Sequence, residues 1–288
     1  MVLENIMMPV QPRMMDTLTV QYGVFRVRHI QAGTVPNLSL HNTHSVLQGG
    51  LSDTDLPALS AGQVVEVQWT GEGGQVQFHH LAVLDREAYQ PSLMMPSSYA
   101  PHPQDVATLA RLVGLLKTSV MREWFEGVLD DSELMRGWFS CQASVKHHHA
   151  WPGGLLRHSL ETTRFTLAAM QEAMAMQHEP MDPLLWDILV LSALLHDIGK
   201  VWVFDRARYH WLMGKSDHRY FTLTVLAAHL DRLQARSGKA HGVLCHTLSC
   251  VTNPQWTAKV PMVELIRIAN RMSIGLGQRH DTGYALSD

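Results

Sequence analysis

The sequence is poor in cysteine, in charge and in long apolar runs, and each shortage excludes something. Three cysteines, Cys141, Cys245 and Cys250, form no disulfide framework and no zinc-ribbon spacing, which suits a reducing compartment. No apolar run reaches the ~20 residues that a membrane-spanning helix requires. Met1 to Asp16 lacks the basic start and apolar stretch of a secretory leader, so the expected location is the cytoplasm, with no membrane partner. Charged residues make up only 17% of the chain and the net charge is -3, which leaves no global basic surface for a polynucleotide. Binding to nucleic acid would have to be local, through a groove or a metal-neutralised phosphate.

Apolar residues, at 46%, and histidines, at 18, are plentiful, and a length of 288 residues fits two modest domains or one large one. Residues 1–18 are rich in Met and Pro without a sustained period and read as a loose arm. From Val20 the texture becomes strand-like. Val65, Val67 and Trp69 alternate with polar neighbours before the turn Gly71-Glu72-Gly73-Gly74, and Val76 and Phe78 do so after it, which predicts a β-hairpin. Short strands over about seventy residues predict a small barrel over 19–88. Residues 89–104 hold several prolines and serines, show no period and are expected to be a linker. Helical spacing then continues almost to Ser273, and 105–288 is expected to be an all-helical domain, so the expected class is α+β, with an OB-like β-domain first.

One helix stands out. From Leu184 to Leu195 nearly every residue is apolar, Asp182 and Pro183 supply a start signal, and Gly199 marks a stop. Such a helix has no solvated face and belongs in the core. At its end stand His196 and Asp197, two adjacent side chains able to reach one ion beside the helix end. A second histidine-rich stretch, His147-His148-His149-Ala150-Trp151-Pro152-Gly153-Gly154, precedes a helix on which His158 shares a line with Leu155 and Thr162. Imidazole and carboxylate together suit a divalent metal, manganese first, with iron, cobalt, zinc or magnesium as alternatives.

His158, then His196-Asp197, then Gly199-Lys200 resembles the HD superfamily of metal-dependent phosphohydrolases. A strand-rich start followed by a helical part opening with His148-His149, Gly153-Gly154-Leu155 and His158 resembles bacterial 3′ to 5′ exoribonucleases that join an OB-fold to an HD domain. The triple histidine with Pro152 to His158 also resembles the HD-type domain of TraI-like conjugative relaxases of the H class. The resemblance implies metal ligands at His158, His196 and Asp197, with His218, His246 and Asn270 as further positions. Asn270 stands where the family presents an aspartate, and Cys250 where it presents a histidine. A neutral amide binds a divalent ion more weakly than a carboxylate does.

The chemistry so implied is phosphodiester hydrolysis on single-stranded nucleic acid, in the simplest case from the 3′ end. Asp197 and Lys200 would be catalytic, while His148, His149, Arg206 and Arg208 would meet substrate. Tyr22, Trp69 and Phe78 could stack bases and Arg26 and Arg28 could pair phosphates, but the stronger reading buries Trp69 and Phe78 in the barrel, and acidic residues outnumber basic ones in this half. Two alternatives remain open: a noncatalytic nucleic-acid or nucleotide-binding, conjugation-accessory module with a degenerate HD site, and a nucleotide phosphohydrolase.

Overall fold

The computed structural model describes residues 20–33, 36–51, 59–71, 75–146, 148–178, 180–204, 218–253 and 262–281. The N-terminal arm expected over 1–18 lies outside them. Strands β1 (Gln21–Gln31), β2 (Asn37–His41), β3 (Val46–Leu51), β4 (Val64–Thr70) and β5 (Gln75–Val83) close into a barrel in the order β1-β2-β3-β5-β4. β3 and β5 run parallel, and the other pairs are antiparallel. Closure satisfies every strand edge, and the alternating residues that mark the strands, such as Val27, Leu38, Val65 and Val67, fill the interior. The parallel pair needs Gly49: a Cβ there would lie 1.7 Å from the Val76 carbonyl oxygen.

Burial decides between the two readings of Trp69 and Phe78, and it removes Arg26 from phosphate pairing. Trp69 and Phe78 are buried, at 8% and 0% exposure, and Trp69 packs edge-on against Phe25, so both rings are core and unavailable for stacking. Arg26 is also buried. Its guanidinium donates to the carbonyls of Met94 and Gly62 and to Asp130 Oδ1 at 2.6 Å, so it ties the barrel to the helices. Alternation alone cannot separate these cases, because a small barrel buries large rings and one inward-facing charge with a partner equally well.

The stretch expected to be a patternless linker is folded. It forms two short 3-10 turns, Pro91–Leu93 and Ser97–Tyr99, following one at Arg86–Ala88, and buries Met94 and Met95. Its prolines forbid longer helices, while its serines bond across the junction: Ser97 Oγ donates to the Asn42 carbonyl at 2.7 Å and Ser92 Oγ to Glu126 Oε1 at 2.6 Å.

The helices follow: α1 (Pro103–Val113), α2 (Ser119–Leu129), α3 (Ser132–Ser140), α4 (Gly154–Gln177), α5 (Pro183–Leu195), α6 (Lys200–Val203), α7 (Thr222–Val225), α8 (Ala227–Arg236), α9 (Gly238–Thr252) and α10 (Met262–Asp281). α5 is the central helix, buried from Trp186 to Leu195, and packs against α4, α9 and α10. Its start is capped by Asp182 Oδ1, which accepts from the backbone of Leu184 and Leu185. One turn on, the fully buried Asp187 accepts from Lys117 N at 2.7 Å, Thr118 N at 2.8 Å and Thr118 Oγ1 at 2.6 Å, fixing α5 to the start of α2. Asp187→Ala leaves these donors without an acceptor and is expected to cost about 3 kcal/mol. The midpoint of urea unfolding reads this directly, and a loss below ~0.5 kcal/mol, the range of neutral surface changes, would contradict the role.

Candidate metal centre

α5 ends at Leu195. His196 to Gly199 form a turn beyond it, and α6 starts at Lys200. The pair therefore sits just past the helix, and Gly199, expected to mark a stop, keeps a right-handed backbone (φ -59°) because the chain re-enters a helix at once. This compact turn, braced by Thr222 Oγ1 donating to the His196 carbonyl at 3.1 Å, points both side chains at α4.

His158, fully buried on α4, meets them. His158 Nε2 lies 3.3 Å from Asp197 Oδ2, and His196 Nε2 lies 3.4 Å from the same oxygen. Ligand atoms of the three residues lie within 4.8 Å of one another. Donors bound at ~2.1 Å in a tetrahedral set stand about 3.4 Å apart, so these separations fit one ion.

Hydrogen bonding fixes which atoms face inward. Burial would raise the Glu161 carboxyl, but the His149 hydrogen bond and charge, with help from Ser273 and His158, outweigh it and hold it below the ordinary carboxylate value. As a carboxylate Glu161 only accepts, so Ser273 Oγ donates its proton to Glu161 Oε2 at 2.9 Å. The Ser273 oxygen is then left to accept from His158 Nδ1 at 2.9 Å. His158 thus carries its proton on Nδ1 and a lone pair on Nε2. In His196 the Ala193 carbonyl accepts from Nδ1 at 2.9 Å, which places the neutral ring's lone pair on Nε2 as well. The His158 ring stays neutral: burial, against the pull of Asp197 and with His196 and Lys200 adding to it, lowers its pKa to about 3.

A lone pair facing a carboxylate oxygen at 3.3 Å has no proton to share, so a cation belongs there. Lys200 Nζ supplies one positive charge, donating to Asp197 Oδ2 at 2.6 Å from a side chain that is itself buried. A divalent ion at the histidines would share this carboxylate with the ammonium.

The loop before α4 completes the wall. His149 has a left-handed backbone (φ 53°), and a Cβ on Gly154 would lie 2.1 Å from its carbonyl oxygen, so glycine is required there. This fold holds His149 Nε2 3.1 Å from Glu161 Oε2, and His149 Nδ1 is buried without a hydrogen-bond partner. The His148 and His149 rings stand 5.3 Å and 5.5 Å from the His158 ring.

The remaining expected positions fall differently. His246 is exposed on α9, with Nε2 3.6 Å from Cys250 Sγ, and is not in the convergent group. Cys250 is buried, and burial pushes its thiol pKa up, against the thiolate a metal needs. Asn270 lies one turn before Ser273 on α10, and its Oδ1 is buried without a hydrogen-bond partner. Arg206, Arg208, the expected flap over 205–214 and the His218 side chain lie outside the described residues. Sequence reasoning missed Ser273. Its one available signal is a small polar residue a helical turn beyond the apolar Ile266 and Ala269 stripe. One cavity between barrel and α3 and two among the connecting turns and helices are lined by other residues than these donors.

A family model described as "TraI_2: Putative helicase" matches residues 108–210, a span that contains His158, His196, Asp197 and Lys200. It fits the TraI-like part of the resemblance. No curated protein matches the chain. Among the described residues no helix is long and apolar enough to cross a membrane.

Proposed function

We propose that the chain is a metal-dependent phosphodiesterase acting on single-stranded nucleic acid, most simply as a 3′ to 5′ exonuclease, with an HD-type site on a helical domain from about residue 105 onward. The observation that carries the reading is the meeting of two imidazole lone pairs with Asp197 in a buried place. His158, His196 and Asp197 would hold the ion, and the Asn270 amide oxygen, buried and without a hydrogen bond, is placed on the helix that supplies Ser273. Manganese suits this donor set of nitrogen and oxygen. A divalent ion held there supplies Lewis acidity toward a phosphoryl group and toward water.

The chain's own residues do the rest. Ser273 and Glu161 keep the His158 lone pair aimed inward, and Ala193 does so for His196. Lys200 places an ammonium where charge grows on a phosphoryl oxygen. His149, held by Glu161, and His148 beside it form the wall a phosphate would approach. The helicase in the matched family's description favours a nucleic-acid partner. An ATP-driven motor has no phosphate-loop sequence to rest on here, since Gly214-Lys215-Ser216 is preceded by Tyr209 where the first glycine of G-x-x-x-x-G-K-S stands.

The test is incubation of 5′-labelled single-stranded RNA and DNA, each with a free 3′-hydroxyl, with the protein and manganese. Stepwise shortening with release of mononucleotides is the expected result. Absence of product with manganese, iron, cobalt, zinc and magnesium alike would sink the reading, and cleavage of mononucleotides alone would make the protein a nucleotide phosphohydrolase. A second reading, strand binding without turnover, is favoured by Lys200 already neutralising Asp197 and by the neutral Asn270.

A further inference from the structure

Away from the metal centre, barrel and helices meet at a cavity of about 290 Å³. Its wall carries Arg28 and His41 from the barrel, Tyr99 from the connecting turns, and Glu133 and Arg136 from α3. His41 is 2% exposed, and its Nε2 is buried without a hydrogen-bond partner, while Nδ1 meets Ser98 Oγ at 3.5 Å. Burial, with Arg26 and Arg28 adding to it, lowers the His41 pKa to about 4, so the ring is neutral near pH 7. A neutral ring can offer an N–H donor at Nε2.

The arginines divide by role. Arg26 spends its donors on Met94, Gly62 and Asp130. Arg28 is exposed and lies over the Tyr99 ring, 5.3 Å from its centroid, leaving the edge of its guanidinium open. Arg136 is exposed across the same cavity, and neither it nor Arg28 has an ion pair among the described residues. Glu133 is the carboxylate on this wall, so two guanidiniums against one carboxylate leave it positive. The chain as a whole is negative, which makes a positive, aromatic-lined recess at the seam unusual here.

We infer that this seam is a phosphate-binding subsite, in which Arg28, Arg136 and a His41 N–H hold one phosphate oxyanion and Tyr99 supports the attached nucleoside. The recess is at the small end of ligand pockets, sized for one nucleotide unit rather than a folded partner. It shares Tyr99, Glu133 and Arg136 with a neighbouring cavity of about 530 Å³, whose lining also includes Val201 and Trp202. Those two residues follow Lys200 directly, so a strand seated in the seam is led toward the helix that follows the metal-site turn. That the phosphate belongs to a strand rests on the phosphodiesterase reading. The oxyanion site itself does not.

The test is fluorescence anisotropy with a labelled single strand of about eight nucleotides, within the usual site size. EDTA is present, so that binding is read without cleavage. AMP and inorganic phosphate serve as competitors. Arg28→Ala/Arg136→Ala is expected to weaken binding ~10-fold or more and to lower the salt slope by about two, and Tyr99→Ala to weaken it as well. His41→Phe distinguishes function from packing: reduced affinity with intact circular dichroism is expected, whereas wild-type affinity with a raised melting temperature would make His41 merely structural and remove it from the site. Wild-type affinity and salt slope in the arginine and Tyr99 variants would overturn the inference, as would no binding of strand, AMP or phosphate to wild type. Binding of AMP, read by titration calorimetry, without binding of the strand keeps the phosphate site and assigns it to free nucleotides. Seam-dependent strand binding with no cleavage under any metal keeps this inference and removes the phosphodiesterase reading.

Discussion

Asp197→Ala is expected to abolish manganese-dependent strand cleavage and to weaken metal binding by more than ~100-fold, beyond the usual cost of losing a supporting residue. It removes the carboxylate that both imidazoles and Lys200 face. The same change strands the buried Lys200 ammonium, which should cost about 3–5 kcal/mol of stability. Loss of activity alone is therefore ambiguous. Asp197→Ala/Lys200→Met removes both members of the pair and should recover most of that stability while still binding no metal. Ser273→Ala gives a graded companion. It leaves every donor in place but frees His158 to move its proton to Nε2, and should weaken metal binding ~10- to 100-fold. Metal content by mass spectrometry together with titration calorimetry checks all three, and wild-type affinity in Asp197→Ala would remove His158, His196 and Asp197 as the metal site.

The metal-free protein is expected to lose stability steeply below pH 6.5. In the unfolded chain His158 and His41 take up protons near 6.5, but in the folded chain they remain neutral down to about 3 and about 4. Protons therefore favour the unfolded state throughout this window. The stability is present in full above pH 6.5 and falls as pH drops through it. At pH 4 the loss amounts to roughly 3 kcal/mol for each ring, comparable in sum with the stability of a typical domain. Urea unfolding in EDTA at a series of pH values measures it. His41→Phe should remove its share of the slope between pH 6.5 and 4 and leave the slope above pH 7 unchanged. A wild-type stability flat from pH 7 to 4.5 would show that both rings can charge in place.

Much of the site was legible because it is local. The apolar run from Leu184 to Leu195, the Asp182-Pro183 start and the adjacent His196-Asp197 fix a buried helix with two donors at its end, whatever packs around it. The inward line through Leu155, His158 and Thr162 holds, with all three buried. The strand alternation gave a barrel, since period-two burial permits little else when the strands are this short. The turns after the barrel are not legible in the sequence, because side-chain bonds to distant partners such as Asn42 and Glu126 help to fix them.

Covalent geometry keeps His196 and Asp197 together, and periodicity keeps His158 on a buried face, so the sequence by itself determined an α+β chain with three donors turned inward. Tertiary packing decided everything that depends on how elements rotate and meet across long separations. It set Ser273 on His158, 115 residues away, and so chose the ring nitrogen that faces the carboxylate. It rotated His246 to the surface, although α9 lies against α5. It buried Trp69 and Arg26 and left Arg28 open beside Tyr99. These outcomes turn on rotations of a fraction of a helical turn and on the twist of a closed barrel, which no local pattern specifies.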